Sequence, residues 1–310
     1  MENRMWARIA AASAVVLLVS NVVAQTQFQP STPRPEFDAV QIKTTDLGNR
    51  TFMLEGEGGN IVVAVADDGV IMVDDQFAPL HDKIKSAIAK ITQQPIRYLV
   101  LTHFHRDHTG GNEAFAKDGA IIVAQETVKA RLATGTKNGL TGNVVPPASP
   151  EALPKQTFKD TTTLRLRGRT AELKHVADVH TDGDTYIYFP EANVLATGDI
   201  VTFGRYPNID FAYGGNIDGM IRGVDVVLGA AKNDTKIVPG HGPLGTKAQV
   251  REYRRMLVDA RDRVAKLKTA GRTEDQAVAA KPTADYDSKL HLNAQQASNF
   301  VRVVYRSLKK

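Results

Sequence analysis

The sequence has no cysteine among its 310 residues. Disulfides therefore cannot staple the fold, and any zinc site must use His, Asp or Glu in place of thiolate. An apolar content of 42% is ordinary for a globular protein with a sizeable core. Stability is thus expected to come from burial of apolar side chains, with a further contribution from metal.

The sequence also lacks a strong charge of either sign. Its formal net charge is +5 and falls to +4 without residues 1–24, which contain two Arg and one Glu. So small and dispersed an excess argues against nucleic acid as a partner and at most favours anionic small molecules. We expect a small-molecule substrate, and the oligomeric state stays open.

Long apolar runs are missing after the first residues of the chain. Residues 1–24 carry Arg4 and Arg8, the apolar run Ile9–Val19 and small residues ending at Ala24, which is typical of a cleaved secretory signal peptide. A single membrane anchor is the alternative, but the run is shorter than the roughly 20 residues that span a bilayer. We predict cleavage near Ala24, a secreted or periplasmic protein and no other contact with the membrane.

After a flexible lead-in at residues 25–36, which is rich in Pro, Gln, Ser and Thr, the pattern indicates β-structure and then alternating strands and helices. Gly- and Pro-rich residues 133–154 predict a surface loop. The predicted strands of this first half are Val40–Lys43, Thr51–Leu54, Ile61–Val65, Val70–Val73, Ile96–Leu101 and Ala120–Ala124, and its helices are Leu80–Thr92, Asn112–Ala116 and Gln125–Leu132.

The second half repeats this style, and two αβ halves predict two sheets packed face to face with helices outside. An apolar stripe from Val250 to Leu267 predicts a long helix, and Thr273 with Gln276 and Asn293 with Gln296 predict two more helix starts. The predicted elements of this half are strands Thr163–Leu166, Glu172–Val176, Thr185–Phe189, Asn193–Ala196 and Lys236–Val238, and a helix at Asp218–Ala231.

Four metal-binding side chains lie within six residues, directly after the apolar run Tyr98–Leu101. They are His103, His105, Asp107 and His108. So compact a group is hard to bury unless a cation compensates it, and the alternative is a solvated turn. We interpret the group as half of a zinc site.

The remaining ligands are predicted from loops that follow other strands and converge at one end of the sheets. A dinuclear site would then form, with the two ions about 3.5–4 Å apart. We expect His103, His105 and His180 to bind one ion, Asp107, His108 and His241 to bind the second, and Asp199 to bridge both.

The H-x-H-x-D-H-T-G-G run, the lone His180, the Thr197-Gly198-Asp199 turn and the Pro239-Gly240-His241-Gly242 turn resemble, in that order, the metallo-β-lactamase superfamily. The resemblance covers roughly Phe37 to Pro243. It implies an αββα sandwich of two mixed sheets flanked by helices, spanning residues 37–245. The helices predicted within residues 246–310 are expected to form an extension packed on the same domain. Asp74 matches an early aspartate of the family that orients metal ligands without binding the metal.

Metal-bound hydroxide is the expected nucleophile, because coordination lowers the pKa of water to about 7. It would attack an ester, lactone, thioester or amide carbonyl, with Asp107 as the catalytic group that holds or accepts the proton. Zn²⁺ suits imidazole-rich ligation, while manganese and iron remain open. One alternative is a true metallo-β-lactamase, although Asp199 stands where the major β-lactamases of the family have Cys or Ser. A second is a non-catalytic zinc-binding accessory protein.

The candidates for the substrate pocket follow Asp199 in the sequence. Aromatic residues after Asp199 could form an apolar wall beside the metals or could pack their own loop onto the following helix. These residues are Phe203, Tyr206, Phe211 and Tyr213. Arg106, Lys137 and Arg205 are interpreted as solvated charges, with a contact to a substrate carboxylate as the alternative.

Overall fold

A computed structural model describes residues 35–308 of the chain. The predicted signal peptide and nearly all of the predicted lead-in lie outside these residues. Across residues 35–308, none of the helices is both long enough and apolar enough to traverse a bilayer.

The first sheet starts as an antiparallel meander and continues with parallel strands. Its meander runs through β1 (Lys43–Asp46), β2 (Thr51–Glu55), β3 (Ile61–Val65) and β4 (Val70–Val73). The parallel part adds β5 (Ile96–Val100) and β6 (Ile121–Gln125) and, after a small hairpin of β7 (Thr136–Lys137) and β8 (Val144–Val145), ends with β9 (Gln156–Phe158).

The second sheet has four antiparallel strands and a parallel strand at its edge. In sheet order they are β10 (Thr161–Leu166), β11 (Arg169–His175), β12 (Thr185–Phe189), β13 (Val194–Ala196) and β14 (Lys236–Val238).

Strand β3 explains why the sheets stack. All five of its residues are buried, and successive side chains of a strand point to opposite faces. Val62 and Ala64 join the cluster shared with Ile187 and Phe189 of the second sheet, whereas Ile61 and Val63 join the cluster on the outer face of the first sheet. A strand that is apolar on both faces buries both of them only when it lies between two layers.

Helices cover both outer faces and complete four layers. In chain order the helices are α1 (Pro35–Asp38), α2 (His81–Ala89), α3 (Arg106–Thr109), α4 (Asn112–Lys117), α5 (Glu126–Thr134), α6 (Ile217–Ala230), α7 (Lys247–Thr269), α8 (Glu274–Ala279), α9 (Ala284–Lys289) and α10 (Ala294–Ser307). The first sheet is covered by α2, α4 and α5, and the second by α6, α7 and α10. The αββα sandwich of two mixed sheets is thus confirmed, together with C-terminal helices.

Helix starts in the C-terminal region follow the predicted capping signals. Thr273 and Gln276 form a reciprocal capping box at α8, and Asn293 and Gln296 form another at α10. In each, the first side chain accepts from the backbone N–H three residues later, and the Gln returns the contact to the first residue's N–H.

Two predictions for the first half need correction, and one strand was not predicted. The first strand is Lys43–Asp46 and not Val40–Lys43, because Val40 and Ile42 pack against the core without pairing in the sheet. Residues 133–154 contain the β7–β8 hairpin and a single 3₁₀ turn, so they are not a plain loop. Strand β9 went unpredicted because it is three residues long and largely polar.

Candidate metal centre

The predicted ligands meet at one end of the sandwich, where several strands terminate. His103 and His105 follow β5, and Asp107 and His108 lie in α3, which begins immediately afterwards. The second sheet contributes three residues from separate connections: His180 lies between β11 and β12, Asp199 follows β13, and His241 follows β14. No single segment could assemble the cluster, which depends on the packing of both sheets.

One group consists of three histidines. The ligand nitrogens of His103, His105 and His180 all lie within 4.8 Å of one another. His105 Nδ1 is 2.9 Å from His180 Nε2. Three imidazole nitrogens at this spacing can face one ion and leave a fourth tetrahedral position open, as in catalytic zinc sites.

The second group contains a carboxylate and two histidines. His241 Nε2 lies 3.1 Å from Asp107 Oδ2 and 3.3 Å from His108 Nε2. The ligand atoms of all three residues fall within 4.8 Å of one another. Asp107 has the most exposed side chain of the three, at 30%, so this group opens toward solvent.

Asp199 lies between the two groups and presents one oxygen to each. Its Oδ1 is 3.4 Å from His108 Nε2 and 3.5 Å from His241 Nε2. Its Oδ2 is 3.6 Å from His180 Nε2, which belongs to the first group. Because Asp199 contacts both groups, all seven predicted ligands lie in one cluster. A carboxylate in this position can bind two cations.

Two buried atoms of the cluster lack a protein partner. Within residues 35–308, neither His103 Nε2 nor Asp199 Oδ1 makes a hydrogen bond, although both atoms are buried. Such groups are rare in proteins because leaving them unpaired is costly. A cation that accepts both lone pairs removes this cost, so the donor set fits a metal.

The protonation of His103 and His180 fits the same conclusion. Burial, helped by the nearby His108, holds the pKa of His103 well below its usual range, and burial lowers the pKa of His180 to about 4. Both imidazoles are therefore neutral at pH 7 and have a free lone pair. Although burial alone would raise it, the charges of His241 and His108 hold the pKa of Asp199 well below its usual range.

Asp74 fixes the orientation of His103 and His108. Its carboxylate accepts hydrogen bonds from His108 Nδ1 at 2.7 Å and from the Thr102 hydroxyl at 2.7 Å. Because that hydroxyl donates to Asp74, its oxygen can accept from His103 Nδ1, which is 3.1 Å away. Each ring thus uses Nδ1 in the protein and directs Nε2 into the cluster.

The other two histidines of the first group are oriented by residues that no sequence motif predicted. His105 Nε2 donates to Asp210 Oδ2 at 3.0 Å, which leaves Nδ1 free. His180 Nδ1 donates to the backbone carbonyl of Asn208. Asp210 and Asn208 both belong to the aromatic-rich loop after Asp199, and no local pattern marks them as partners of residues so far away in the chain.

Asp184 is a further residue that went unpredicted, and here the sequence did carry a signal. Its carboxylate accepts from the backbone N–H groups of His180 and Thr181, both at 2.7 Å, and from the Thr181 hydroxyl at 2.9 Å. An aspartate that closes a tight turn through several N–H groups is a recognisable feature of a His-Thr-Asp-Gly-Asp run. It fixes the loop that presents His180.

The aromatic residues predicted for the pocket separate into different environments. Tyr206 alone lines the cleft of about 90 Å³ beside the metal cluster. Phe203 packs against Tyr253 of α7 at a centroid distance of 6.4 Å. Tyr213 packs on Phe104 and accepts a hydrogen bond from the Lys137 N–H, and Phe211 lies under Arg306. Most of this loop therefore packs onto its neighbours.

Comparison with known protein families identifies the family. The profile described as "Metallo-beta-lactamase superfamily" matches residues 54–266, which include all seven clustered residues and Asp74. The chain belongs to the metallo-beta-lactamase superfamily. It is a metallo-hydrolase of that superfamily, and the non-catalytic alternative is not supported.

Individual relatives of this metallo-hydrolase have different names. A linear primary-alkylsulfatase of Pseudomonas sp. is 26% identical over 69% of the chain, and the matched region is 48% of that protein. A metallo-beta-lactamase type 2 of Bacillus sp. is 24% identical over 66% of the chain and 73% of that protein. The chain thus spans about half the length of the alkylsulfatase that it matches.

Solved structures show the same fold. The metallo-beta-lactamase from Pontibacter korlensis superimposes with a TM-score of 0.58 at 19% identity, covering 71% of this chain and 100% of the other.

Proposed function

We propose that this protein is an exported, dinuclear zinc hydrolase that cleaves esters, with thioesters and lactones as related substrates. The position of Asp199 carries the proposal, because one of its oxygens faces each histidine group. Two ions held in this way would activate water and polarise the bond to be cleaved. The imidazole-rich donor set favours zinc over harder cations.

The division of the ligands follows from which atoms are free. His103 Nε2, His105 Nδ1 and His180 Nε2 would hold the first ion. Asp107, His108 Nε2 and His241 Nε2 would hold the second, with Asp199 between them. The hydrogen bonds to Asp74, Asp210 and Asn208 hold the rings of His108, His105 and His180 so that these nitrogens point inward before substrate arrives.

Asp107 is the residue best placed to handle the proton of the attacking water. Its side chain is more exposed than those of His105, His108, Asp199 and His241, and it lines the cleft. The nearby His108 and His241 hold its pKa below the usual range although burial opposes this, so it is a carboxylate at neutral pH. It can accept a hydrogen bond from water, orient it and pass its proton toward the cleft mouth.

The ester assignment depends on which residue bridges the two groups. Asp199 replaces the Cys or Ser of the major β-lactamases, and a relative named as an alkylsulfatase acts on esters of sulfuric acid. Because the chain covers only half of that relative, we infer from it only the type of bond that is cleaved and not the whole protein's activity. Hydrolysis of carboxylic or sulfuric esters is therefore our first candidate.

β-Lactam hydrolysis is the second candidate, favoured by the similarity to a metallo-beta-lactamase over 73% of that protein's length. The two candidates share the metal centre, so substrates must separate them. Zinc-loaded protein would be assayed with nitrocefin, penicillin, a lactone, 4-nitrophenyl acetate and an aryl sulfate. Fast ester cleavage with negligible β-lactam turnover supports the proposal, and the opposite ranking would reject it in favour of the β-lactamase.

A further inference from the structure

A second cavity adjoins the cleft over the metal cluster. It has a volume of about 470 Å³ and is enclosed by residues 202–205, α7 and α9. We call it the flanking cavity. Thr202 and Arg205 line both the flanking cavity and the cleft, so the two spaces are neighbours. Its volume falls within the range of small-molecule sites, whereas the cleft alone, at about 90 Å³, is too small for most of them.

The walls of the flanking cavity are mainly apolar. Phe203 lines it from the loop, Tyr253 and Met256 from α7, and Leu290 from the end of α9. Tyr253 and Met256 are almost fully buried, so these walls are part of the protein core. A hydrocarbon group placed against these four side chains would be removed from water.

Two hydroxyl groups in the walls lack partners. Thr202 Oγ1 and Tyr253 Oη are buried, and within residues 35–308 neither makes a hydrogen bond of normal geometry, although the two side chains are near one another. Both residues line the flanking cavity. Buried hydroxyls without a partner mark a place where a polar atom of a ligand, or an ordered water, completes the hydrogen bonding.

Positive charge surrounds the cavity. Arg205, Arg255 and Lys289 line it, against one acidic residue, Glu252. In the described part of the chain, Arg205 and Arg255 are exposed and form no salt bridge with a carboxylate. Arg205 is the cation at the boundary with the cleft, where it can pair with a negative charge next to the bond being cleaved.

We propose that the flanking cavity binds the alkyl or aryl group of an anionic ester, with the cleavable bond over the metal cluster and the negative charge beside Arg205. The cavity is built largely by the C-terminal helices, so this region would determine substrate specificity. The inference rests on the proposed hydrolase function for its chemistry, but its test measures binding.

The test uses alkane sulfonates, which carry an apolar chain and a negative group but contain no ester bond. Isothermal titration of zinc-loaded protein with butane-, hexane- and octane-1-sulfonate gives Kd as a function of chain length. If the chain enters the cavity, Kd falls by about fourfold per added methylene, the ratio expected for full burial. Equal Kd values for the three sulfonates would overturn the inference.

Leu290→Trp places a larger side chain in the cavity and should weaken the dependence on chain length. The matched control is Val144→Trp, since Val144 is 71% exposed on the β7–β8 hairpin and does not line the cavity. Unchanged zinc content and circular dichroism establish that Leu290→Trp is folded, and Leu290→Phe serves if it is not. A chain-length dependence as steep as that of the wild type in the folded variant would overturn the inference.

Arg205→Met tests the charge separately. This substitution should raise Kd for all three sulfonates by the same factor, so that the ratios between their Kd values stay the same. Arg251 is an exposed residue of α7 outside the cavity, and Arg251→Met should leave all three Kd values unchanged. Unchanged Kd values for the three sulfonates in Arg205→Met would reject the role of Arg205.

Hydrolysis of 4-nitrophenyl acetate by the same preparation separates the two proposals. Sulfonate binding that depends on chain length, with a weaker dependence in Leu290→Trp, upholds the cavity even if no ester is cleaved. Ester cleavage without chain-length dependence upholds the hydrolase and rejects the cavity.

Discussion

Among the seven predicted ligands, His103 has the clearest structural reason to bind a metal. Its Nε2 is buried without a protein partner, and burial keeps the ring neutral. We predict that His103→Ala lowers kcat/KM for ester hydrolysis by more than about 100-fold, which exceeds the usual effect of changing a residue that only orients a ligand. Zinc content should fall toward one ion per chain. Enzyme kinetics and elemental analysis check both expectations.

His291→Asn is the control, since His291 is exposed and has a positive φ of 52° that asparagine tolerates. It should behave as the wild type. Unchanged turnover in a folded His103→Ala protein would contradict the mechanism.

Asp210 gives a second prediction at the residue scale. Its carboxylate accepts from His105 Nε2, so Asp210→Asn weakens the constraint that directs Nδ1 inward. We expect zinc affinity to decrease by about 10–100-fold, measured by competition with a chelator. Asp225→Asn, at an exposed carboxylate paired with Arg254, is the matched control. Equal zinc affinities for the two variants would show that Asp210 does not orient His105 for metal binding.

His103 and Asp210 show what could and could not be predicted from the sequence. His103 belongs to a compact motif, so its role as a ligand could be predicted from the spacing of the motif. Asp210 is 105 positions from His105, and only the folded loop brings them together. A pairwise contact across that distance has no local signature in a single sequence.

At the scale of elements, the turn after β14 has to pass very close to Asp199. A Cβ added to Gly240 would lie 2.0 Å from Asp199 Oδ1, so a side chain cannot fit without displacing that carboxylate. We predict that Gly240→Ala destabilises the protein by about 1–3 kcal/mol, as is typical of overpacking, and that it reduces zinc binding. Chemical denaturation and metal titration measure the two effects.

Gly229 near the end of α6 is the contrasting position. A Cβ there meets nothing within 4 Å, so Gly229→Ala should stabilise the protein by about 0.5–1 kcal/mol through the higher helix propensity of alanine. If the two substitutions had the same effect on zinc binding, close packing at Gly240 would not matter to the site.

Some helices and strands could be predicted from the sequence more accurately than others. The buried strands β3 and β4 were predicted with their observed bounds, because short, wholly apolar runs bounded by Gly, Asn and Asp residues are typical of buried strands. Strand β9 and the β7–β8 hairpin were missed, since two or three partly polar residues pair only where a neighbouring edge is available.

The loop after Asp199 is an element whose role emerged only from packing. Tyr206 stacks on Phe300 of α10 with centroids 4.0 Å apart, and its hydroxyl donates to Asp287 of α9 at 2.6 Å. The same loop supplies Asn208 and Asp210 to the histidines. The C-terminal helices therefore support the metal cluster indirectly, which no pattern in the tail itself indicated.

At the scale of the whole molecule, we propose that residues 37–245 and 246–310 are parts of one domain. Helices α7 and α10 share a buried cluster with α6 and with Leu195 and Ile237 of the second sheet. An extension that contributes to the core in this way cannot be separated without exposing it.

Export is a prediction for the whole chain. The charged start and apolar run of residues 1–24 predict cleavage after Ala24. Expression of the full chain in a bacterial host should give a soluble periplasmic or secreted protein whose N-terminus is Gln25, as read by mass spectrometry of the purified product. A membrane-bound product that retains Met1 would favour the anchor instead.

Seven side chains from both halves of the sandwich are proposed to hold two ions for hydrolysis. Elemental analysis of the purified protein after zinc incubation and gel filtration, with ester hydrolysis assayed on the same sample, tests this most directly. We predict two zinc ions per chain, and activity that disappears with a chelator and returns with zinc. Fewer than about one ion per chain, or full activity after the metal is removed, would contradict the account.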